Sequence, residues 1–311
     1  MISSIFGKTK PINHIIVLTI LFVLYWIVQF LSPGATFSPS QLVFKTFVLS
    51  ILLFSVFLVN FIAKRNKMTG PNSFAMLFYG LLMFVFTETF VDDSAIFCSF
   101  FILLATRRLI SLRSLKDMKL KIFDATLWIL IASLFYEWVL LFLVLVFAAI
   151  YIYEPKNIRN WLVPFSSIFV FFMIGYGILT LIGHTAFFQE HYGFELKFDL
   201  SYFLHWENSA KLIIYIIMVL VAAVISFLKL GKKGIGKIVT MRLAVLTFIL
   251  GILMNMLVVS PGSDPLMVTF FPAAIFFANY VETINRQNIK EIVLMVSVLV
   301  PFLIFIFDVL I

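Results

Sequence analysis

The chain has 311 residues, of which 63% are hydrophobic and only 12% are charged, and its mean hydropathy is +1.12. A soluble domain of this length carries roughly twice that share of charge, because its surface must face water, so a soluble α/β protein is excluded. The net charge of +8 does not indicate nucleic-acid binding, since the basic residues lie in short clusters between apolar runs.

Eleven apolar segments are predicted to form membrane helices, because a span needs about 20 apolar residues and fewer where a helix is short or re-entrant. They lie near 12–31, 43–63, 73–87, 95–110, 122–136, 138–153, 161–182, 211–228, 239–259, 266–281 and 291–310. The first is interpreted as an uncleaved span, since it is too long for the apolar region of a signal peptide. No soluble domain fits between the segments. The prediction is an all-α polytopic bundle in which residues 1–311 form a single integral-membrane domain.

The positions of the basic residues predict the orientation. With the N-terminus in the cytoplasm, 20 of the 23 Lys and Arg residues fall on cytoplasmic segments, leaving only Lys45, Lys197 and Lys211 outside. This bias follows the positive-inside rule. It predicts a multi-pass protein of a bacterial inner membrane, with a cytoplasmic N-terminus and a periplasmic C-terminus, in contact with the lipid bilayer.

The outer loop between the third and fourth segments carries three carboxylates, Glu88, Asp92 and Asp93, within six residues. Mutual repulsion and partial desolvation raise the pKa of such a group and can create a general base or a cation site. These three residues are therefore candidate catalytic residues. The competing interpretation is a solvated turn in which Asp93 or Ser94 caps the next helix.

The hairpin 122–153 leaves and returns to the same face, so each arm has only about 16 residues, or roughly 24 Å. Both arms are shorter than a bilayer, and the break at Tyr136-Glu137-Trp138 should lie below the outer surface. A carboxylate is tolerated there only where it lines a water-filled cavity. Glu137 is therefore a fourth candidate catalytic residue, and Trp138 a candidate for substrate binding.

The longest outer loop, 183–210, interleaves aromatic residues with His184, His191 and His205. It is predicted to lie in the membrane interface, either as an anchor or as a lid over a lipid-linked substrate. The three histidines are candidate binding residues. No HExxH or similar spacing is present, so no metal site is predicted.

A further outer turn, 260–265, carries Asp264 between two prolines, and Pro272 is predicted to interrupt the helix that follows.

Four parts of the sequence together resemble polytopic glycosyltransferases with the C-type fold. They are the stretch from Glu88 to Arg108, the basic turn 107–121, the hairpin and the segment 267–277. The similarity covers roughly residues 73–182 and 260–285. The whole chain also resembles an uncharacterised membrane-protein family of flavobacteria.

The glycosyltransferase resemblance implies that sugar is taken from a polyprenyl-phosphate carrier on the outer face. In that class an acidic base activates the acceptor, and a basic residue or a divalent cation offsets the charge of the carrier phosphate. The first outer loop, 32–41, contains no acid. The resemblance therefore implies a base among Glu88, Asp92 and Asp93, and a phosphate partner that is Lys197, Lys211 or a histidine.

Three functions follow as hypotheses. The first is an outer-face glycosyltransferase-like protein without an obligatory cofactor, and the second is a non-catalytic membrane subunit that binds a protein partner in a cell-envelope complex. The third is a transporter of a lipid carrier or small solute, which predicts internal repeats and polar groups reaching both faces.

Overall fold

The computed structural model describes residues 2–31, 38–194, 206–230, 235–258 and 263–310, and every regular element in these ranges is helical. Its α-helices, numbered α1 to α13 in chain order, are Ile2–Phe6, Pro11–Leu31, Pro39–Arg65, Phe74–Val85, Asp93–Ser111, Met118–Ala132, Leu143–Tyr153, Ile158–Ile182, Phe187–His191, Trp206–Leu230, Ile235–Val258, Phe270–Glu282 and Gln287–Leu310. Four short 3-10 helices are Thr87–Phe90, Leu112–Ser114, Glu137–Phe142 and Pro265–Thr269. The prediction of an all-α polytopic bundle is confirmed.

Eight helical segments are long and apolar enough to cross a membrane, which makes the chain a multi-pass membrane protein. They are Pro11–Leu31, Pro39–Arg65, Asp93–Ser114, Ile158–Ile182, Ser209–Lys229, Gly236–Val258, Pro265–Glu282 and Gln287–Asp308. The other three predicted segments fall on shorter helices: α4, with 12 residues, α6, with 15, and the segment Glu137–Tyr153. Helix α4 is short because the backbone leaves the helical region at Phe86 and enters a 3-10 turn.

Burial separates central helices from peripheral ones. Helices α4 and α12 are almost wholly buried, and they pack against each other. In α8 and α13, by contrast, only 11% of the apolar window is buried within the protein. A membrane helix can expose apolar side chains to lipid but must satisfy its backbone internally. Helices α8 and α13 therefore present large faces to the bilayer.

Contacts between loops show which of them lie at the same end of the bundle. At one end the Gly70 backbone N–H donates to Glu282 Oε1 over 2.6 Å, joining the loop after α3 to the end of α12. At the other, the Asp264 N–H donates to Asp92 Oδ2 over 3.0 Å, joining the loops before α12 and α5. These pairings agree with the predicted alternation of the helices. Which end faces the cytoplasm remains a prediction.

The two-armed hairpin is present, and its first arm begins four residues earlier than predicted. Helix α6 ends at Ala132, and the chain turns through an extended Tyr136 into the 3-10 helix Glu137–Phe142 and then α7. The break therefore lies where the sequence predicts it. The prediction that Pro272 interrupts the late helix is wrong: the winding changes from 3-10 to α between Thr269 and Phe270, and Pro272 lies in the first turn of α12, where a proline is tolerated.

A close approach between α11 and the 3-10 helix Pro265–Thr269 predicts a stability effect at Gly251. A Cβ there would lie 2.6 Å from Thr269 Cγ2. The threonine is held in place, because its hydroxyl bonds to the Leu266 carbonyl at 2.7 Å and the Tyr215 hydroxyl at 2.8 Å. We expect Gly251→Ala to lower the free energy of unfolding by about 1–3 kcal/mol. Thermal unfolding of the purified protein in detergent measures this.

The matched control is Gly177→Ala in α8, where an added Cβ meets nothing within 4 Å. Both changes add one methyl group to a helical glycine, so their difference isolates the packing at Gly251. Equal melting temperatures for the two variants would contradict the close approach.

Candidate functional site

Asp92 caps the N-terminus of α5. Its Oδ1 accepts a hydrogen bond from the Ala95 N–H at 3.2 Å, as expected for an aspartate that satisfies an otherwise unpaired donor in the first helical turn. A capping residue in this loop was one interpretation of the sequence. The structure assigns that role to Asp92, whereas the sequence favoured Asp93 or Ser94.

The second oxygen of Asp92 joins two other loops. Asp92 Oδ2 accepts hydrogen bonds from the Tyr136 hydroxyl and from the Asp264 N–H. The Asp92 side chain is buried, and its carboxylate receives three donors in total. Because the donors lie in α5, at the hairpin break and in the 260–265 turn, Asp92 positions the break and the turn relative to α5.

Asp264 is a buried carboxylate that the sequence did not select as a site residue. Its Oδ1 accepts hydrogen bonds from Asn255 Nδ2 at 2.8 Å and from the Leu266 N–H at 3.0 Å, while Oδ2 is buried and has no hydrogen-bond partner among the described residues. Burial raises the pKa of Asp264 to about 7, with smaller contributions from Glu88 and Asp92, and its hydrogen bonds oppose the shift. Asn255, an amide within an apolar helix, is the sequence signal that could have indicated this site.

Asp93 forms an ion pair with Lys45. The lysine Nζ lies 2.8 Å from Asp93 Oδ1 and 2.7 Å from Oδ2, and both side chains are largely buried, at 17% and 23% exposed. Asp93 also occupies the first turn of α5, where the helix dipole favours a negative charge. Lys45 therefore neutralises the carboxylate that the sequence proposed as a base.

Glu88 lies near a second ion pair, which Lys211 forms with Asp308 at 2.8 Å. The pKa of Glu88 is raised chiefly by desolvation, because the surrounding protein disfavours the charged carboxylate. The charge of Lys211 opposes this shift and that of Asp308 adds to it. The Glu88 side chain nevertheless retains access to the surface. Of the four predicted catalytic residues, Glu88 thus lies beside Lys211 rather than beside Glu137.

A cavity of about 320 Å³ opens between the hairpin break and the segment after α8. Its lining residues are Phe135, Tyr136, Glu137, Trp138, Glu190, His191, Gly193, Leu257 and Val258. Glu137 Oε2 accepts a hydrogen bond from the Phe194 N–H at 2.7 Å, and the Trp138 ring packs edge-on against Phe194 at 5.5 Å. Glu137 therefore ties the 183–210 loop to the hairpin and faces a cavity, as the sequence predicted for the break.

Tyr136 connects this cavity with the buried carboxylates. Its side chain lines the cavity, and its hydroxyl donates to Asp92. Its phenol is protonated at neutral pH, because the ordinary pKa of a tyrosine, about 10, lies well above 7. The cavity wall at this point includes a tyrosine whose hydroxyl is held by a buried carboxylate.

His191 is the predicted binding histidine that reaches the cavity. Its Nε2 lies 2.7 Å from the Ser133 carbonyl oxygen, so this nitrogen carries the proton that bonds to it, and the ring stacks on Phe187 at 5.1 Å. His184 is exposed and does not line the cavity. Lys197 and His205 lie outside the described residues.

Within the described ranges, no three His, Cys, Asp or Glu side chains gather closely enough to hold a metal ion. The part of the cavity that the structure describes contains two carboxylates and one imidazole, Glu137, Glu190 and His191. The acid–base and aromatic side chains of the site thus come from the hairpin and the loop, and the end of α11 adds Leu257 and Val258.

The chain belongs to DUF6427, a family of unknown function, whose profile matches residues 1–311. No curated protein and no solved structure matches the chain.

Proposed function

We propose that this member of the DUF6427 family is an outer-face membrane glycosyltransferase-like enzyme that uses a polyprenyl-phosphate-linked sugar. The observation that carries the proposal is that Glu137, Trp138 and His191 line one cavity beside Tyr136 and Asp92. A volume of about 320 Å³ lies at the lower end of the range found for small-molecule sites. Acid–base groups on an aromatic wall suit a sugar hydroxyl.

In the proposed reaction Glu137 acts as the general base. It removes the proton of an acceptor hydroxyl while that oxygen bonds to the anomeric carbon of the sugar. The bond between this carbon and the phosphate oxygen breaks, and its electron pair leaves with the polyprenyl phosphate. Glu137 is the chosen base because its Oε2 is held by the Phe194 N–H and the residue lines the cavity.

Asp92 and Tyr136 are assigned a positioning role. Because the Asp92 carboxylate already accepts three hydrogen bonds, it holds the Tyr136 hydroxyl and the hairpin break in place rather than accepting a substrate proton. Tyr136 then presents a neutral phenol to the cavity beside Glu137. Trp138 supplies an aromatic surface for the sugar ring.

His191 is the proposed partner of the carrier phosphate. Since its Nε2 is bonded to the Ser133 carbonyl, Nδ1 is the nitrogen left for a ligand, and it donates a hydrogen bond when the ring is protonated. Lys211 suits this role less well because it is paired with Asp308. A divalent cation would supply the same charge neutralisation, and Glu137 and Glu190 are the carboxylates that line the described part of the cavity.

The test is deletion of the gene in its bacterial source, followed by mass spectrometry of envelope glycans and polyprenyl-phosphate-linked sugars. We expect one lipid-linked sugar to accumulate and one glycan to lose the corresponding residue, with both restored by the intact gene. Unchanged glycans together with unchanged lipid-linked sugars would contradict the proposal.

A non-catalytic membrane subunit is the second candidate. It is favoured by the internal pairing of the charged groups, since Asp93 is bound by Lys45 and Lys211 by Asp308. In that case the deletion is rescued equally well when Glu137 is replaced, and the protein co-purifies with one envelope partner in detergent.

A further inference from the structure

A second concave surface lies at the end of the bundle opposite the Glu137 cavity. This crevice has a volume of about 720 Å³ and runs along α3 between α2 and α5. We call it the α3 crevice, and its principal lining residues are Phe54, Phe57, Phe61, Lys64, Arg65 and Arg107. It shares no lining residue with the cavity of the proposed function.

The apolar part of the crevice is an exposed phenylalanine face. Phe54, Phe57 and Phe61 recur at helical spacing on α3 and are 52%, 45% and 45% exposed. In a membrane protein, the exposed apolar face of a spanning helix meets acyl chains. The face is also ordered by its neighbours: His14 stacks on Phe57 at 5.5 Å and bonds to the Asn60 amide at 2.6 Å.

The polar part of the crevice is a cluster of three cations. Lys64, Arg65 and Arg107 form no ion pair with any carboxylate of the described residues, whereas the adjacent Arg108 is paired with Asp124 at 2.8 Å. Among the described residues, none that lines the crevice is acidic. The cations are therefore available to an anion from outside the chain.

The Arg107 guanidinium lies where the apolar and the polar parts of the crevice meet. Arg107 lies over the Phe61 ring with its central carbon 5.0 Å from the ring centre, an attractive cation–π arrangement. A positive charge is thus held where the phenylalanine face ends. This order, an apolar face followed by a charged rim, matches the order of acyl chain and head group in a lipid.

We propose that the α3 crevice binds an anionic glycerophospholipid, with its phosphate at Lys64, Arg65 and Arg107 and an acyl chain along Phe54, Phe57 and Phe61. Basic pockets between membrane helices favour anionic head groups. A soluble anion would need only the cations and would leave the phenylalanine face uncovered. With the predicted orientation, the lipid comes from the cytoplasmic leaflet.

The experiment is a lipid titration of the full chain in detergent, followed by native mass spectrometry. The probes are phosphatidylglycerol, phosphatidylcholine with the same acyl chains, and the soluble anion glycerol 1-phosphate. We expect phosphatidylglycerol to bind at least tenfold more tightly than either of the others. In the variant Lys64→Gln/Arg65→Gln/Arg107→Gln its affinity should fall about a hundredfold, since each basic residue near an anionic lipid contributes about a factor of five.

The matched control is Lys116→Gln/Lys119→Gln/Lys156→Gln, which removes three exposed lysines that do not line the crevice. It should bind phosphatidylglycerol like the unmodified protein. Equal binding of the two phospholipids, equal binding of glycerol 1-phosphate, or equal loss in both triple variants would each overturn the proposal. A melting temperature for every variant separates loss of the site from loss of the fold.

Discussion

Replacing Glu137 by glutamine is expected to lower glycosyl transfer by about 10²–10⁴-fold, the range that general acid–base catalysis supplies. The change removes the proton acceptor and keeps the geometry. Glutamine retains a carbonyl oxygen that can accept the hydrogen bond from the Phe194 N–H, now made at 2.7 Å by Glu137 Oε2. The loop should therefore stay attached to the hairpin. The measurement is the rate at which the lipid-linked sugar identified in the deletion strain is consumed by the purified protein in liposomes.

The comparison with Asp93→Asn separates the two placements of the base. Asp93 was proposed from the sequence, and its ion pair with Lys45 leads us to expect most of the activity to survive this change. If Asp93→Asn loses most of the transfer activity while Glu137→Gln stays active, the general base lies in the loop before α5. Unchanged transfer in both variants would exclude both carboxylates as the base, whereas no transfer by the unmodified protein would favour the non-catalytic subunit.

Hydropathy and charge predicted the parts of the molecule that depend on local sequence. The apolar segments locate the helices because a membrane helix must consist largely of apolar residues. The broken hairpin was predictable for a similar reason, since 32 residues between two basic clusters are too few for two full spans. Glu137 could then be assigned to a cavity because a carboxylate within so apolar a segment needs water or a partner.

The convergence of the loops was not predictable in the same way. Asp92 meets Tyr136, which is 44 residues away, and Asp264, which is 172 residues away. Hydropathy places all three at one end of the bundle but does not say which loops are adjacent, because adjacency depends on how the helices pack. For the same reason the sequence assigned no partner to Asp93, although Lys45 is one of only three basic residues that the predicted orientation places outside.

The α3 crevice had a signal in the sequence that hydropathy analysis does not use. Phe54, Phe57, Phe61 and Lys64 follow one another at intervals of three or four residues, which places them on one face of α3. A positive-inside analysis counts Lys64 only as an orientation signal. The packing of α5 against α3 brings Arg107 to the same face, and that contact requires the folded structure.

The stability of the protein is expected to fall as the pH rises from about 4 to 8, and Asp264 is the residue responsible. Its folded pKa of about 7 exceeds the ordinary value of 3.8, because burial disfavours the charged form. Below pH 4 the carboxyl is protonated in both the folded and the unfolded state, so it does not lower the free energy of unfolding. Between the two pKa values the unfolded chain is ionised while the folded one holds its proton, so each rise in pH favours unfolding. Above pH 7 the loss is complete, with an upper limit of roughly 4 kcal/mol.

The variant Asp264→Asn should remove most of this dependence. Asparagine keeps a carbonyl oxygen for the Asn255 and Leu266 donors and cannot ionise, so at pH 8 it avoids a buried charge close to Asp92 and Glu88. We expect its melting temperature to exceed that of the unmodified protein at pH 8 and to differ little at pH 5. Thermal unfolding at both pH values in detergent provides the comparison.

The control is the same substitution at Asp124, whose carboxylate is partly exposed and paired with Arg108 at the other end of the bundle. Asp124→Asn should leave the pH dependence as it is in the unmodified protein. A slope that persists in Asp264→Asn would mean that another group titrates. If the stability of the unmodified protein instead rises with pH, Asp264 is ionised in the folded state. Its buried Oδ2 would then need a hydrogen-bond partner of its own, since Asn255 and Leu266 both bond to Oδ1.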